Sequence, residues 1–447
     1  MNDLLVCIYE DQSWESFEPL SQLRAVWDLR CGALTLGQRL QKQLQTCKTV
    51  FHVRRPLMQM FNEDTSWSGI VNPGTTRGPA LFVNCRALLD RSAAARLLDD
   101  SGDVIYHNAE GEVAAFRIMG RIPGQVKLEN GEPLEPRQII GLEPRRLDVR
   151  LVSHLWELLR LNHPMMLLDF ESAAAEAGWE DLIFPDDTIA RSRGNVKASG
   201  EVRFGPGVII DAEENGVYFE NGVHLGAGVI LCAGGGPIWL SSGVIVEAGA
   251  IINGPAFVGA GSVIRSGARI SDGCSFGPQC RVGGEVTASI IHSYSNKQHS
   301  GYLGNSYLGS WVNLGAATDN SDLKNNYRPI KVSLKGREID TGDLHVGAFI
   351  GDFTRTAIHT RLGSGSTIGV CSHILDSDFP AVELPPFTWA GNKGYSEYRW
   401  DKALETISTI MPRRGRSLTP GLEFALRDLF QQSSGFRRTF LESHSGA

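Results

Sequence analysis

Between Asn296 and Asn320 the chain reads NKQHSGYLGNSYLGSWVNLGAATDN, and His299 is the residue in it best suited to proton chemistry. An unperturbed imidazole has a pKa of about 6.5, so in its neutral form it can take a proton from a nucleophilic amine or hydroxyl at working pH. His299 closes one irregular polar stretch, Ser289 to Gly301. A second, Thr318 to Asp343, carries Lys324, Asn325, Asn326, Tyr327, Arg328, Lys331, Lys335 and Arg337. The plainer reading makes His299 a loop histidine that only hydrogen-bonds, and the basic stretch a solvated edge.

Such residues need a rigid frame, and the surrounding sequence supplies one. Written in sixes, one column fills with large apolar side chains: Phe204, Ile210, Phe219, Leu225, Leu231 and Leu240, then without a slip through Val246, Ile252, Val258, Ile264, Ile270 and Phe276 to Val282. A hexad is too short for a helical or hairpin repeat. It suits a short strand and a turn, with one inward side chain per face and glycine at corners that need positive φ. Three faces give a coil of about 18 residues, and the pattern resembles the left-handed parallel β-helix of hexapeptide-repeat proteins. The column returns at Leu308, Leu314, Ile350, Thr356, Leu362, Ile368 and Ile374. An antiparallel β-sandwich with regular turns is the competing architecture. Loops leaving a rigid scaffold are where such folds hold their chemistry.

The flanks differ. Leu4 to Tyr9 and Ala80 to Cys85 read as buried strands, GALTLGQRLQKQLQ has helical spacing, and His154 to Gly178 reads as helix with a break at Pro164. After the repeat, DKALETISTIM is amphipathic, and a further helix is expected with Thr419 as cap and Pro420 in its first turn. These last helices are expected to cover the prism. The expected organisation is an α/β amino-terminal nucleotidyltransferase-like domain over 1–150, a helical connector over 151–195, a left-handed β-helix over 196–378 and a helical tail over 379–447.

HSGYLGNSYLGSWVNLGAAT resembles the acetyltransferase segment of the bifunctional bacterial enzymes that acetylate glucosamine-1-phosphate and then uridylylate the product. Order and spacing match at His299, Tyr302, Asn313, Gly315 and Ala316, and FIGDFTRTAIHTRLGSGSTIGVCSHI resembles that family's coenzyme A coils. The resemblance implies that His299 is the general base. It implies that Tyr302, Asn313, Asn326 and Tyr327 hold the sugar phosphate or the tetrahedral intermediate, and that Ala316, Asp352, Gly369 and Val370 line an acetyl-CoA groove. It also implies a homotrimer. The family's sugar-site lysine falls on Thr287, which leaves the acceptor open, with Lys297 as a candidate substitute. One carbonic anhydrase class shares this prism, but His292, His345 and His359 lack a close pair, so no metal is expected there.

FEPLSQLRAVWDLRCGALTL, with LFVNCRALL, YSNKQH and SDLKNNY, resembles a set of sugar nucleotidyltransferases with an abbreviated amino-terminal domain. No glycine-rich phosphate loop follows the first strand, and Cys85 or Arg86 takes the place of a metal-binding aspartate. A cation cannot coordinate Mg²⁺, which is expected only if this domain is active. Arg24, Arg30 and Arg86 are candidates for a nucleotide phosphate, or else salt-bridged scaffold residues.

Composition bounds the rest. The 447 residues are 42% hydrophobic and 21% charged, with a net charge of −7, which suits a globular protein and gives no basic surface for nucleic acid. Eight cysteines without a CxxC pair and no apolar run of about 20 residues lead to the expectation of a cytoplasmic protein with no membrane partner. The function expected is acetyl-CoA-dependent acetylation of an amino-sugar phosphate. The alternatives are a sugar-1-phosphate nucleotidyltransferase that uses the prism for trimerisation and regulation, and a non-catalytic sugar-nucleotide-binding protein.

Overall fold

The computed structural model describes residues 4–44, 48–64, 69–74, 79–119, 128, 130–136, 139, 141–175, 178–375 and 379–444. Cys47 and the expected β-helix end at 378 lie outside them. The chain forms two compact units. The first comprises Met1–Leu29, Leu34–His154 and Ser408–Gln432; the second comprises Arg30–Ala33, Leu155–Ile407 and Ser433–Ala447.

In the first unit the apolar strand Leu5–Tyr9 runs between Ala80–Asn84 and Thr49–Phe51, parallel to both. The seven-stranded sheet runs in the order Glu143–Arg146, Val104–His107, Val113–Ile118, Ala80–Asn84, Leu5–Tyr9, Thr49–Phe51, Ile70–Val71. Cys7, Tyr9, Val50, Phe82 and Phe116 form one of its buried clusters, with the rings of Phe82 and Phe116 stacked at 4.4 Å. The helix Pro420–Gln432, expected with the prism, belongs to this unit instead. Thr419 caps it, its hydroxyl accepting the Leu422 amide at 3.3 Å. The Gly421 amide donates to Glu63 at 2.7 Å, and a Cβ on Gly421 would lie 2.5 Å from the Met60 nitrogen, so glycine permits that close approach.

The second unit is the three-sided parallel prism that the hexads predict. Its faces are ladders of two- and three-residue strands, one face carrying eleven of them. The apolar column points inward: Phe219, Leu225, Leu231, Leu240, Val246 and Ile252 are all fully buried. Each such side chain contributes roughly 1.5–3 kcal/mol of transfer free energy, so the stack needs no larger core. Corners turn through left-handed residues such as Gly228 (φ +64°) and Gly249 (φ +69°). Where Tyr294 (φ 65°), Trp311 (φ 62°) and Phe353 (φ 63°) adopt that conformation instead, their rings stack, 4.4 Å apart for the first pair and 6.2 Å for the second.

Two expectations are corrected. Ser289 to Gly301 is no irregular loop: it holds the coil strands Ile290–Ile291 and Asn296–Lys297, paired in register with Ser275–Phe276 and Arg281–Val282. The six-residue column is interrupted in sequence because the inward step shortens, from Val282 to Val286 and then Ile291, and because Lys297 takes an inward place. Nor does the helix break at Pro164. It continues from Leu155 to Ala174 and buries Trp156, Met166 and Phe170. Phe170 meets Tyr218 and Trp239 on the outside of the long face, packing that outweighs the one lost helical hydrogen bond.

Candidate functional site

The candidate site surrounds the corner where the chain passes from Asn296–Lys297 on one face to Tyr302–Gly304 on the next. His299 stands exposed at that corner, and among the described residues no side chain bonds its ring. Gly301 makes the corner possible. Its φ is +116°, and a Cβ there would lie 2.4 Å from the Thr318 carbonyl of the next coil.

Tyr302 leaves the corner with its hydroxyl donating to Asp322 at 2.9 Å and its amide donating to Asp319 at 2.6 Å. Burial, then Asp322, pushes the phenol well above its ordinary pKa, so Tyr302 is a neutral donor. The Asn305 amide also donates to Asp322, at 2.8 Å. Asn313 lies on the next rung of the face that holds Asn296, bridged to Asn296 on one side and Arg355 on the other. The corner thus joins the edge bearing Tyr302 to the face bearing Asn313.

Lys297 does not reach outward. It pairs with Val282 in the ladder, points into the prism and is 1% exposed. Its ammonium donates to the carbonyls of Gly283 at 3.1 Å, His299 at 2.8 Å and Gly301 at 2.8 Å. That geometry leaves it no hand for a substrate, which corrects its expected role. Asn326 and Tyr327 lie on the segment after Asn320 that leaves the coils. Tyr327 is 71% exposed, and among the described residues no hydrogen bond joins the pair to His299, Tyr302 or Asn313. The same excursion folds into a hairpin, Lys331–Leu334 with Arg337–Asp340, whose tip amide at Gly336 donates to Glu383 at 2.9 Å.

Of the residues expected at a coenzyme A groove, Ala316 is half-buried and its carbonyl accepts the His359 amide at 2.8 Å. Asp352 is buried and accepts the Ser310 amide at 3.0 Å, an internal corner brace. Gly369 meets the next coil, where a Cβ would lie 2.4 Å from the Pro386 nitrogen, and Val370 is fully buried. On this chain all four make contacts from one coil to the next. Asp319, Asn320 and Asp322 were missed by sequence reasoning; the carboxylates in TDNSD were the available signal.

In the first unit the end of the opening strand is closed by an ion pair where a phosphate loop would be needed. The fully buried Glu10 accepts the Val26 amide at 2.7 Å and Arg54 at 2.6 Å, and the Arg54 guanidinium lies 4.0 Å from the Trp14 ring centroid. Arg24 pairs with Asp28. Arg86 pairs with Asp11 at 2.8 Å and Glu112 at 2.9 Å. Arg30 belongs to the prism unit, where its guanidinium lies 5.3 Å from the Phe257 ring centroid and its amide donates to Tyr307 at 2.7 Å. All three arginines therefore make scaffold contacts, each within its own unit. The carboxylates of Asp11 and Glu112 converge on Arg86, a fixed cation, so they do not fit Mg²⁺. His292 meets the Tyr307 hydroxyl at 3.2 Å, and no group of three metal-binding side chains comes together among the described residues.

Residues 6–177 match a family model described as sugar nucleotidyl transferase. A bifunctional sugar-1-phosphate nucleotidylyltransferase/acetyltransferase of Sulfurisphaera tokodaii is 37% identical over 90 residues, covering 20% of this chain and 22% of its own. The bifunctional protein GlmU of Herminiimonas arsenicoxydans is 35% identical over 114 residues, covering 25% of this chain and 23% of its own. The chain thus spans less than a quarter of the length of these curated relatives. A solved UDP-N-acetylglucosamine acyltransferase of Francisella novicida covers 58% of this chain and 90% of its own, at 12% identity and a TM-score of 0.23. The resemblance to the bifunctional enzymes and to sugar nucleotidyltransferases, drawn from motifs, is supported by the family model and the two curated relatives.

Proposed function

We propose that this chain, whose residues 6–177 match the sugar nucleotidyl transferase family, is a transferase that uses acetyl-CoA to acetylate an amino-sugar phosphate, with His299 as general base. The observation that carries the reading is the corner itself. An exposed imidazole free of side-chain partners, among the described residues, sits on the turn that links the strand of Asn296, whose next rung is Asn313, to the strand of Tyr302, a neutral phenol held by Asp322. A thioester is already reactive, so acyl transfer asks chiefly for positioning and for removal of the amine proton. Acetyl-CoA is the co-substrate, the working form is a homotrimer, and the neighbouring subunit completes the groove for the coenzyme.

The test is thiol release from acetyl-CoA with a panel of amino-sugar phosphates, comparing wild type with His299→Ala. Loss of the base lowers kcat by about 10²-fold or more. Equal rates in the two proteins remove His299 from the mechanism.

Sugar-1-phosphate nucleotidyl transfer is the second reading, favoured by the family match over residues 6–177. Against it stand the Glu10–Arg54 pair and the Arg86 cluster, which fill the places that phosphates and Mg²⁺ would need. Pyrophosphate release from nucleoside triphosphate, sugar-1-phosphate and Mg²⁺ would reverse that order.

A further inference from the structure

In the column of large inward side chains that runs from Phe219 to Leu384, every residue is apolar except Lys297, Asn320 and Thr356, while small hydroxyls such as Ser262, Ser306 and Thr354 are buried beside that column. The three exceptions in the column fall in the coils around His299, and each bonds nearby backbone. Asn320 takes both the amide and the carbonyl of Gly304, at 2.8 and 3.0 Å. Thr356 accepts the Gly315 amide at 2.9 Å and meets Thr318 at 2.8 Å. Lys297 is the ionisable member of the set.

We infer that Lys297 is a positioning residue for His299: from inside the prism its ammonium ties the carbonyls of His299 and Gly301 to that of Gly283 in the preceding coil, fixing the turn that presents the imidazole. The inference rests on the acetyl-transfer reading of His299. An ammonium has three N–H donors, and three carbonyls take them. The preceding coil leaves the space: a Cβ on Gly284 would lie 2.8 Å from the lysine nitrogen and 2.7 Å from both the His299 and Gly301 carbonyls. An inward valine, as at Val282 one coil earlier, would leave this turn untied.

The arrangement depends on charge. Burial lowers the Lys297 pKa to about 8, opposed by Asp319. Its interior neighbours Val282 and Leu314 are apolar. The other charged or titratable groups on the flanking elements are Arg281 on the paired strand, Glu285 and Tyr302 on the adjoining face, Arg265 on the coil before, and His299 itself. A neutral amine keeps two N–H groups for three carbonyls, so the tie loosens as pH rises through about 8. A general base acting alone gives activity that rises with pH to a plateau. Lys297 adds a falling alkaline limb.

The test compares wild type with Lys297→Met. The expected result is a kcat for thiol release at least tenfold lower with KM changed less than threefold, and an alkaline limb above pH 8 in wild type that the variant lacks. The His299 imidazole resonance, assigned with His299→Ala, is followed in parallel from pH 5 to 10 in protein with labelled histidine. Wild type is expected to give a second inflection near pH 8 that Lys297→Met removes. A variant with wild-type kcat and the same alkaline limb overturns the inference. So does a wild-type imidazole resonance without the second inflection, a measurement that stands even if the variant fails to fold. If no acceptor supports thiol release while the inflection is present, the acetyl-transfer reading fails and the Lys297–His299 coupling survives.

Discussion

Replacing Lys297 by methionine should change how the prism's stability depends on pH, and the size of that change follows from burial. In the folded chain the ammonium sits 1% exposed and its pKa falls from 10.5 to about 8. The unfolded chain therefore binds a proton between those values that the native chain has released. Linkage then makes stability rise with pH through this window. The penalty of the buried charge is fully present below about pH 8 and is relieved by pH 10.5, a span of about 3 kcal/mol at 1.36 kcal/mol per pKa unit. Other groups titrate there too. The buried thiols of Cys7, Cys85, Cys274 and Cys371 are pushed up by burial, so their unfolded-state ionisation destabilises the native chain in alkali. That loss is common to wild type and variant and cancels in their difference. The assay is urea unfolding at pH 7 to 10.5, with the prism transition followed by hydrogen exchange of peptides spanning the His299 corner. Wild type should gain on Lys297→Met by a few kcal/mol across the window. A difference flat to within about 1 kcal/mol would refute the claim that a protonated lysine is held inside the coil.

Further outcomes follow from single contacts. Arg54→Ala leaves Glu10 buried without its partner and should cost the first unit about 3–5 kcal/mol in urea unfolding. Gly301→Ala forces a Cβ to within 2.4 Å of the Thr318 carbonyl in a left-handed turn, so it should destabilise the prism by at least ~2 kcal/mol, read as a lowered Tm. Tyr302→Phe removes the hydroxyl from Asp322 and should cost roughly 1.5–3 kcal/mol, with a matching fall in kcat/KM if the neutral phenol orients the acceptor.

Parts of this were legible in advance because they repeat. A six-residue period with one inward apolar side chain admits few architectures, and the buried column from Phe219 to Val282, resumed at Leu308, is the one that the spacing predicts. The Thr419 cap was likewise a local signal. Lys297 was misread for an equally local reason. A lysine two residues before a histidine looks like a solvent-facing ligand until strand register turns it inward beside Val282. The shortened coil around Ser289 hid that register, since a step of four or five residues breaks the six-residue column while the strands still pair. Asp322 was overlooked because its partner Tyr302 lies a full coil earlier.

The sequence by itself determined the prism, its strand period, the exposed histidine at its edge and the absence of a glycine-rich phosphate loop, because each is written in neighbouring residues. Tertiary structure alone decided which charges face one another. Glu10 meets Arg54, Arg86 draws Asp11 and Glu112, and Lys297 closes on three carbonyls from inside the coil. Burying an ion is costly without partners, and those partners come from strands and turns that are distant along the chain, so their meeting is a property of the fold and not of any local pattern.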